Sequence, residues 1–174
     1  MEEFRYPIGT FAHEGSISDQ ELQLWMQDIE TAPSRLRAAV AGLTETQLDT
    51  PYRPGGWTVR QVVHHIADSH INSYTRFRLA LTEDEPTIRP YYEERWSELE
   101  DAKTAPVELS LMLLEALHGR WMLLLRSLNR EMLSRSFIHP ESGSKRLDWN
   151  VGNYAWHGNH HIAHITSLRK RMGW

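Results

Sequence analysis

The sequence predicts an all-α fold, a four-helix bundle with one long crossover connection. Three observations carry this. Apolar residues recur at helical spacing in four separate stretches, and no alternating pattern of useful length marks a strand. Capping boxes stand where two of those stretches begin, at Ser18 with Glu21 and at Thr58 with Gln61. The connection between the second and third stretches, residues 82–105, is too long for a tight helix–helix turn. No internal repeat or low-complexity segment interrupts the chain. Residues 1–174 therefore read as one domain, large enough to bury a sizeable core.

Residues 1–17 read as an irregular N-terminal arm. A helix follows from about Asp19, with Leu22, Trp25, Met26 and Ile29 on one face. Pro33 interrupts it, and Leu36, Ala39, Val40 and Leu43 resume the pattern, so a kinked helix or two short ones are expected. Thr44 and Gln47 cap another short turn, and Pro51, Pro54, Gly55 and Gly56 make a loop. The second main helix opens at Trp57-Thr58. Val59, Val62, Val63, Ile66, Tyr74, Phe77 and Leu81 supply its apolar face, and Gln61, His65, Asp68, Asn72 and Arg76 make a polar stripe beside it. The crossover carries Pro86, Pro90 and the aromatics Tyr91, Tyr92 and Trp96, with a short helix expected around residues 93–99. Pro106 starts the third helix, whose core face reads Leu109, Met112, Leu113, Ala116, Leu123, Leu124 and Leu128. Residues 134–145 read as a polar loop. Asp148 is the expected cap of the fourth helix, which runs to Met172 and stops at Gly173.

Composition narrows the chemistry. The chain has no cysteine, which excludes disulfides and thiolate metal ligands and leaves His, Asp and Glu. A formal charge of −4 argues against nucleic-acid binding. The basic run Arg169-Lys170-Arg171 sits at a helix C-terminus, where cations complement the helix dipole. No apolar run approaches the length of a membrane span, and the N-terminus lacks the apolar segment of a signal peptide, so a cytoplasmic protein is expected.

The chain has ten histidines, and four of them, His157, His160, His161 and His164, fall within eight residues. On a helix, His157, His161 and His164 share one face, with Asn150 and Asn153 above them. His157 and His161 stand one turn apart, about 6 Å along the axis, close enough to hold one metal ion. His160 and His164 make a second such pair, so spacing alone leaves the register open. A third ligand must come from elsewhere, and His65 in Val62-Val63-His64-His65-Ile66 is the best donor. Three His ligands without Cys describe a zinc site with one open position, the arrangement of a catalytic rather than a structural ion. The competing reading is a neutral hydrogen-bonded cluster or a pH-sensing face. The helical zinc motif His-Glu-x-x-His is absent, which leaves a metalloprotease without its general base. His13, His118 and His139 are expected to be surface or hydrogen-bonded residues. Asp68, near His65 on the stripe, is the expected acceptor for a ring N–H.

At these residues the chain resembles the DinB/YfiT superfamily of metal-binding four-helix bundles, over about residues 55–174. The resemblance rests on Trp57-Thr58 followed by Val62-Val63-His64-His65-Ile66, and on His157-Gly158-Asn159-His160-His161. It implies the register His65, His157 and His161. Ala67-Asp68-Ser69-His70, Thr87-Ile88-Arg89-Pro90-Tyr91 and the ending from Ala163 to Trp174 resemble the YfiT group most closely. That resemblance implies zinc or nickel, a homodimer, and either metal-dependent hydrolysis or transfer of a thiol such as bacillithiol to an electrophile. Thiol transfer is the leading expectation, with a small-molecule substrate. Arg76, Asn150, Asn153 and Tyr154 are the candidates to bind an acidic or hydroxyl-rich cofactor, or else ordinary polar contacts of the bundle. A metal-holding stress protein without turnover is the third reading, favoured if His164 or His64 supplies a fourth ligand. Trp25, Tyr91, Tyr92 and Trp96 exceed the aromatics that one small core needs and are candidates for a dimer interface.

Overall fold

A computed structural model describes residues 2–174, without the side chains of Glu2 and Glu3. In chain order the elements are α1 (Glu2–Arg5), α2 (Asp19–Val40), α3 (Glu45–Leu48), α4 (Val59–Thr82), α5 (Glu93–Trp96), α6 (Glu100–Thr104), α7 (Val107–Ser127), α8 (Arg130–Leu133), β1 (Ser136–His139), β2 (Gly143–Arg146) and α9 (Leu147–Met172). The long helices α2, α4, α7 and α9 form the bundle. α2 and α4 each pack against both α7 and α9.

Pairs of side chains give the directions. Arg35 donates to Asn159 and Arg169 to the Ala39 carbonyl, so α2 and α9 run parallel. His64 meets Ser110 and Phe77 meets Trp121, so α4 and α7 also run parallel. Ser73 meets Asn150 while His65 meets His157, which makes α4 and α9 antiparallel. Arg37 pairs with Glu108 and Arg126 with Glu30, which makes α2 and α7 antiparallel. The order is up, down, down, up. A parallel α4–α7 pair requires the chain to return the length of α4, about 36 Å, before α7 can start. Residues 83–106 make that return as the long crossover. They are tied to α4 by Gln61 donating to the Ser97 carbonyl at 2.8 Å and Arg60 to the Ala105 carbonyl at 3.0 Å.

Local signals explain the ends of the helices. The capping boxes at Ser18, Thr44 and Thr58 all form with their N3 partners, each cap stabilising its helix by about 1 kcal/mol. Gly173 closes α9 at φ 70°, the left-handed conformation that glycine adopts without strain. Asp148 is not the N-cap. Arg146 holds that position, and Asp148 lies in the first turn, buried, paired with Arg146 at 2.6 Å and accepting from the Trp149 N–H at 2.8 Å.

Other expectations change in physically informative ways. Pro33 lies inside one continuous α2, so of the two expectations there the division into two short helices is the one that fails. Proline has no N–H for the carbonyl one turn back, here that of Ile29. His118 of α7 fills the gap, its Nδ1–H donating to the Ile29 oxygen at 2.6 Å. The polar loop at residues 134–145 contains an antiparallel hairpin, β1 with β2. The Ile88 N–H donates to the Ile138 carbonyl and the Ile138 N–H to the Pro86 carbonyl, both at 2.9 Å, pinning the crossover to the hairpin. The arm is docked rather than free. Phe11 packs edge-on against Trp25 and Trp149, and the Trp156 indole donates to the Gly9 carbonyl. Trp25 is thus used within the fold. Gly152 permits this contact, since a Cβ there would lie 2.8 Å from Phe11 and 2.9 Å from Trp25.

The third helix presents a different face from the one expected. Leu111, Leu114, His118, Trp121, Met122 and Leu125 are buried, whereas Leu109, Met112, Leu113, Ala116 and Leu123 are exposed and Leu124 and Leu128 only partly covered. The helix is apolar on nearly every side, so periodicity could not select the face. Trp121, fully buried against Phe77, His70 and Tyr154, selects it. The core divides in two. One cluster holds Leu36, Val62, Val63, Ile66, Leu114 and Ile165, the other Ile29, Phe77, Trp121, Leu125 and Val151. In sequence position, Ser69, His70, His118 and His157 fall between the two clusters as a polar layer.

The two arginines of the basic run at the end of α9 are engaged within the fold. Arg169 donates to the Ala39 and Ala41 carbonyls and Arg171 to the Tyr52 carbonyl. Among the described residues no helix is long and apolar enough to cross a membrane.

Candidate metal centre

His65 projects from the second turn of α4, and His157 and His161 from successive turns of α9. Antiparallel packing brings the three together. Their nearest ligand atoms lie within 4.8 Å of one another, and the Nε2 atoms of His65 and His157 are 3.2 Å apart. Two nitrogens on one tetrahedral zinc stand about 3.3 Å apart, given Zn–N bonds of about 2.0–2.1 Å. The ring centroids are 4.5 Å apart for His157 with His161 and 4.6 Å for His65 with His161. Trp57 lies against His65 at 4.5 Å and walls one side.

The three rings are neutral. Burial, then the fields of His160 and His164, holds His65 down to about 3. Burial, then the neighbouring histidines, holds His157 and His161 well below the usual imidazole range. Neutral imidazoles keep a lone pair for a metal. No carboxylate forms a hydrogen bond to these rings among the described residues. Asp68 is not the expected acceptor for His65. Its carboxyl, pushed up to about 6 by burial and then by Asp101, makes no bond to a ring nitrogen. The donor set of three neutral imidazoles, without thiolates, suits zinc or nickel.

A second grouping, His160, His161 and His164, also brings its ligand atoms within 4.8 Å. It lies along a single helix and shares His161 with the first. His164 donates its Nε2–H to the Arg5 carbonyl at 3.0 Å, and its Nδ1 faces the Nδ1 of His161 at 3.3 Å. His160 stacks on Trp156. His64 is turned toward the crossover, bonded to Ser110 at 2.7 Å and to the Ala105 carbonyl at 3.1 Å.

The three rings border a cavity of about 1470 Å³. Gln61, His65, Asn72 and Arg76 of the polar stripe on α4 all line it, so that stripe faces the cavity rather than bulk solvent. Arg5, Arg53 and Arg89 add positive charge, and Glu93, Glu94, Glu98 and Glu141 add negative charge from the crossover and hairpin. Tyr91 also lines it, its phenol pushed up by burial and hence protonated. Of the four candidate cofactor residues, only Arg76 is in this wall. Asn150 is buried and donates to Ser73 at 3.1 Å, Tyr154 sits behind Ser69 at 3.2 Å, and Asn153 is half-buried on α9 outside the cavity wall.

Sequence reasoning missed His70 and His118 as neighbours of the site. His70 Nε2 is 3.1 Å from His157 Nδ1, and His70 Nδ1 is 2.8 Å from His118 Nε2. The one available signal was Pro33, which announces a carbonyl in need of a donor. The arm was missed as well, although Arg5 and Tyr6 line the cavity.

Comparison with known proteins agrees with this architecture. A family model described as the DinB superfamily matches residues 28–165. The chain is 57% identical over all 174 residues, and over the full length of each relative, to proteins of Bacillus cereus (strain 03BB102) and Bacillus thuringiensis subsp. konkukian (strain 97-27), both named "Putative metal-dependent hydrolase". The solved structure of YfiT from Bacillus subtilis, described as "a probable metal-dependent hydrolase with an unusual four-helix bundle topology", superposes with a TM-score of 0.97 at 54% identity, covering 99% of each chain. TT2238, a four-helix bundle protein, shares the fold at a TM-score of 0.54 and 21% identity, over 81% of this chain and 94% of that one. The match of a bundle-wide family model together with full-length relatives above half identity means that the chain belongs to the DinB superfamily.

Proposed function

We propose that the chain is a metal-dependent enzyme that holds a divalent ion, zinc or nickel, on His65, His157 and His161 and uses it to activate a low-molecular-weight thiol such as bacillithiol. One observation carries the reading: three neutral imidazoles converge at the wall of a single cavity of about 1470 Å³. That exceeds the roughly 300–1,000 Å³ of common ligand pockets and has room for a thiol cofactor beside its electrophile. An ion on three His ligands supplies Lewis acidity at its open side, lowering the pKa of a thiol or water there. The protein's own residues do the rest. Arg76, half-buried and with no acidic partner among the described residues, is placed to hold an anionic group of the cofactor, with Arg53 and Arg89 in the same cavity wall. Tyr91 and Ser69 offer hydroxyl donors to a leaving group. Trp57 covers His65 and limits access of water. A thiol gives up its proton on coordination and needs no general base at the rings, which fits a site whose three imidazoles have no carboxylate bonded to them among the described residues. A reducing compartment such as the cytoplasm keeps such thiols reduced and suits the reaction.

Hydrolysis at the same site is the second reading, and the names of the relatives favour it. A non-catalytic metal store would need a fourth protein ligand. His64 is engaged by the crossover and His164 by the arm, which argues against it.

The activity is tested by loading the protein with zinc and following conjugation of a thiol to a bimane or haloalkyl electrophile. A free thiol of pKa 8.5 is only about 3% thiolate at pH 7, so full ionisation alone gives about a thirtyfold gain. The gain should shrink as pH rises past 8.5, and Arg76→Ala should raise KM for an acidic thiol. Metal-dependent ester hydrolysis with no thiol-dependent rate would replace this reading with the second.

We also propose a homodimer. Leu109, Met112, Leu113 and Leu123 leave an apolar stripe on α7, each at least 44% exposed. Light scattering should give twice the chain mass of 20.3 kDa. A monomer at micromolar concentration would count against the dimer.

A further inference from the structure

We infer that a chain of hydrogen bonds from His157 through His70 and His118 to the Ile29 carbonyl fixes the tautomer of His157, so that its Nε2 is bare and turned toward the metal. The direction of the chain follows from its end. A carbonyl oxygen can only accept, so the 2.6 Å bond to Ile29 requires the proton of His118 on Nδ1. A neutral His118 then has an acceptor at Nε2, which faces His70 Nδ1 at 2.8 Å. His70 must donate from Nδ1, which leaves its own Nε2 as an acceptor. That atom faces His157 Nδ1 at 3.1 Å, so His157 donates from Nδ1 and keeps a lone pair on Nε2.

The surroundings keep the chain in this form. His70 is 0% and His118 2% exposed, between the two core clusters, with Trp121 edge-on to both rings. Burial holds both far below the usual imidazole range, His118 at about 4. No acid is bonded to either ring among the described residues, so neither has a partner that would make it cationic. The anchor exists because Pro33 cannot donate to Ile29, which ties a proline in α2 to a ring nitrogen in α9 across α7 and α4. His161 has a shorter chain of the same sense. His164 gives Nε2–H to the Arg5 carbonyl, accepts at Nδ1 from His161, and leaves His161 Nε2 bare. Both α9 ligands are thus backed by a histidine that ends on a backbone oxygen. His70, His118 and His164 are positioning residues. None of them is a ligand.

The effect on metal affinity rests on the proposed ligand set, but the bond pattern can be read without it. In metal-free, 15N-histidine-labelled protein, long-range 1H–15N correlation spectra should show His118, His70 and His157 all protonated at Nδ1. The Nε2–H form at any of the three overturns the inference whether or not the protein binds metal. In His118→Phe the chain loses its anchor. His157 should then sample the Nε2–H form, and zinc affinity by chelator competition should fall about ten- to a hundredfold. His118→Gln, which keeps a donor for Ile29 and an acceptor for His70, should retain near-native affinity. Unchanged affinity in a folded His118→Phe protein also overturns the inference. The wild-type spectrum decides without any variant, so misfolding of His118→Phe would not rescue it.

Discussion

Replacing His65, His157 or His161 with alanine should release the bound ion, each single change weakening zinc or nickel by more than the roughly hundredfold that loss of a supporting residue costs. Three ligands are the minimum that holds a catalytic ion, and two leave an exchangeable one. The competing register makes a distinct forecast. His160→Ala should keep its metal, because His160 stacks on Trp156 and takes no part in the three-ring convergence. His164→Ala should fall between, because it supports His161 without reaching the ion. Metal content after gel filtration, with chelator competition for affinity, ranks the five variants. If His160→Ala and His164→Ala lose the ion while His157→Ala retains it, the site lies one grouping further along α9.

Acid should destabilise the metal-free protein as pH falls from 6.5 to 5, above the pH at which most carboxylates protonate. Burial keeps the folded-state values of His65 and His118 at about 3 and about 4, and those of His70, His157 and His161 well below the ordinary 6.5. A depressed imidazole is neutral in the fold while its unfolded counterpart takes up a proton below 6.5. The stability from its neutral form is therefore complete above pH 6.5, and it is lost as pH falls from there toward the folded-state value. At pH 5 His65 and His118, at about 3 and about 4, each cost about 2 kcal/mol. His70, His157 and His161 act in the same direction, and the total stability of a typical domain is only about 5–15 kcal/mol. Denaturant titrations at pH 7.5 and pH 5 should differ by several kcal/mol. Equal midpoints at the two pH values would mean that these rings are hydrated in solution and that the polar layer is not closed.

Much of the bundle was legible because its signals are local. The boxes at Ser18, Thr44 and Thr58 need only residues three apart, and Gly173 needs only its own backbone freedom. The polar stripe on α4 is a property of one helix, and all of it but Asp68 became cavity wall. The misreadings came where several faces were equally good. α7 is apolar around most of its circumference, so the burial of Trp121 and the exposure of Leu123 depend on which neighbours arrive. The hairpin at residues 136–146 is polar and short, and it is held through Ile138 and Ile88 rather than through any alternation of its own.

The sequence by itself determined a histidine pair one turn apart, a third histidine on another helix, the absence of thiolate ligands, and four helices with a long return between the second and third. Each is carried by spacing or composition and survives any arrangement of the helices. Only the tertiary structure decided that His65 meets His157 and His161, that Asn150 and Tyr154 turn inward while Arg76 lines the cavity, and that Asp68 stands apart from the rings. It also decided that Ile29, His118, His70 and His157 form one chain of bonds. The physical reason is that a hydrogen bond between side chains far apart in sequence depends on helix direction and rotation. Those are set by how whole apolar faces pack, and no short window of sequence contains that information.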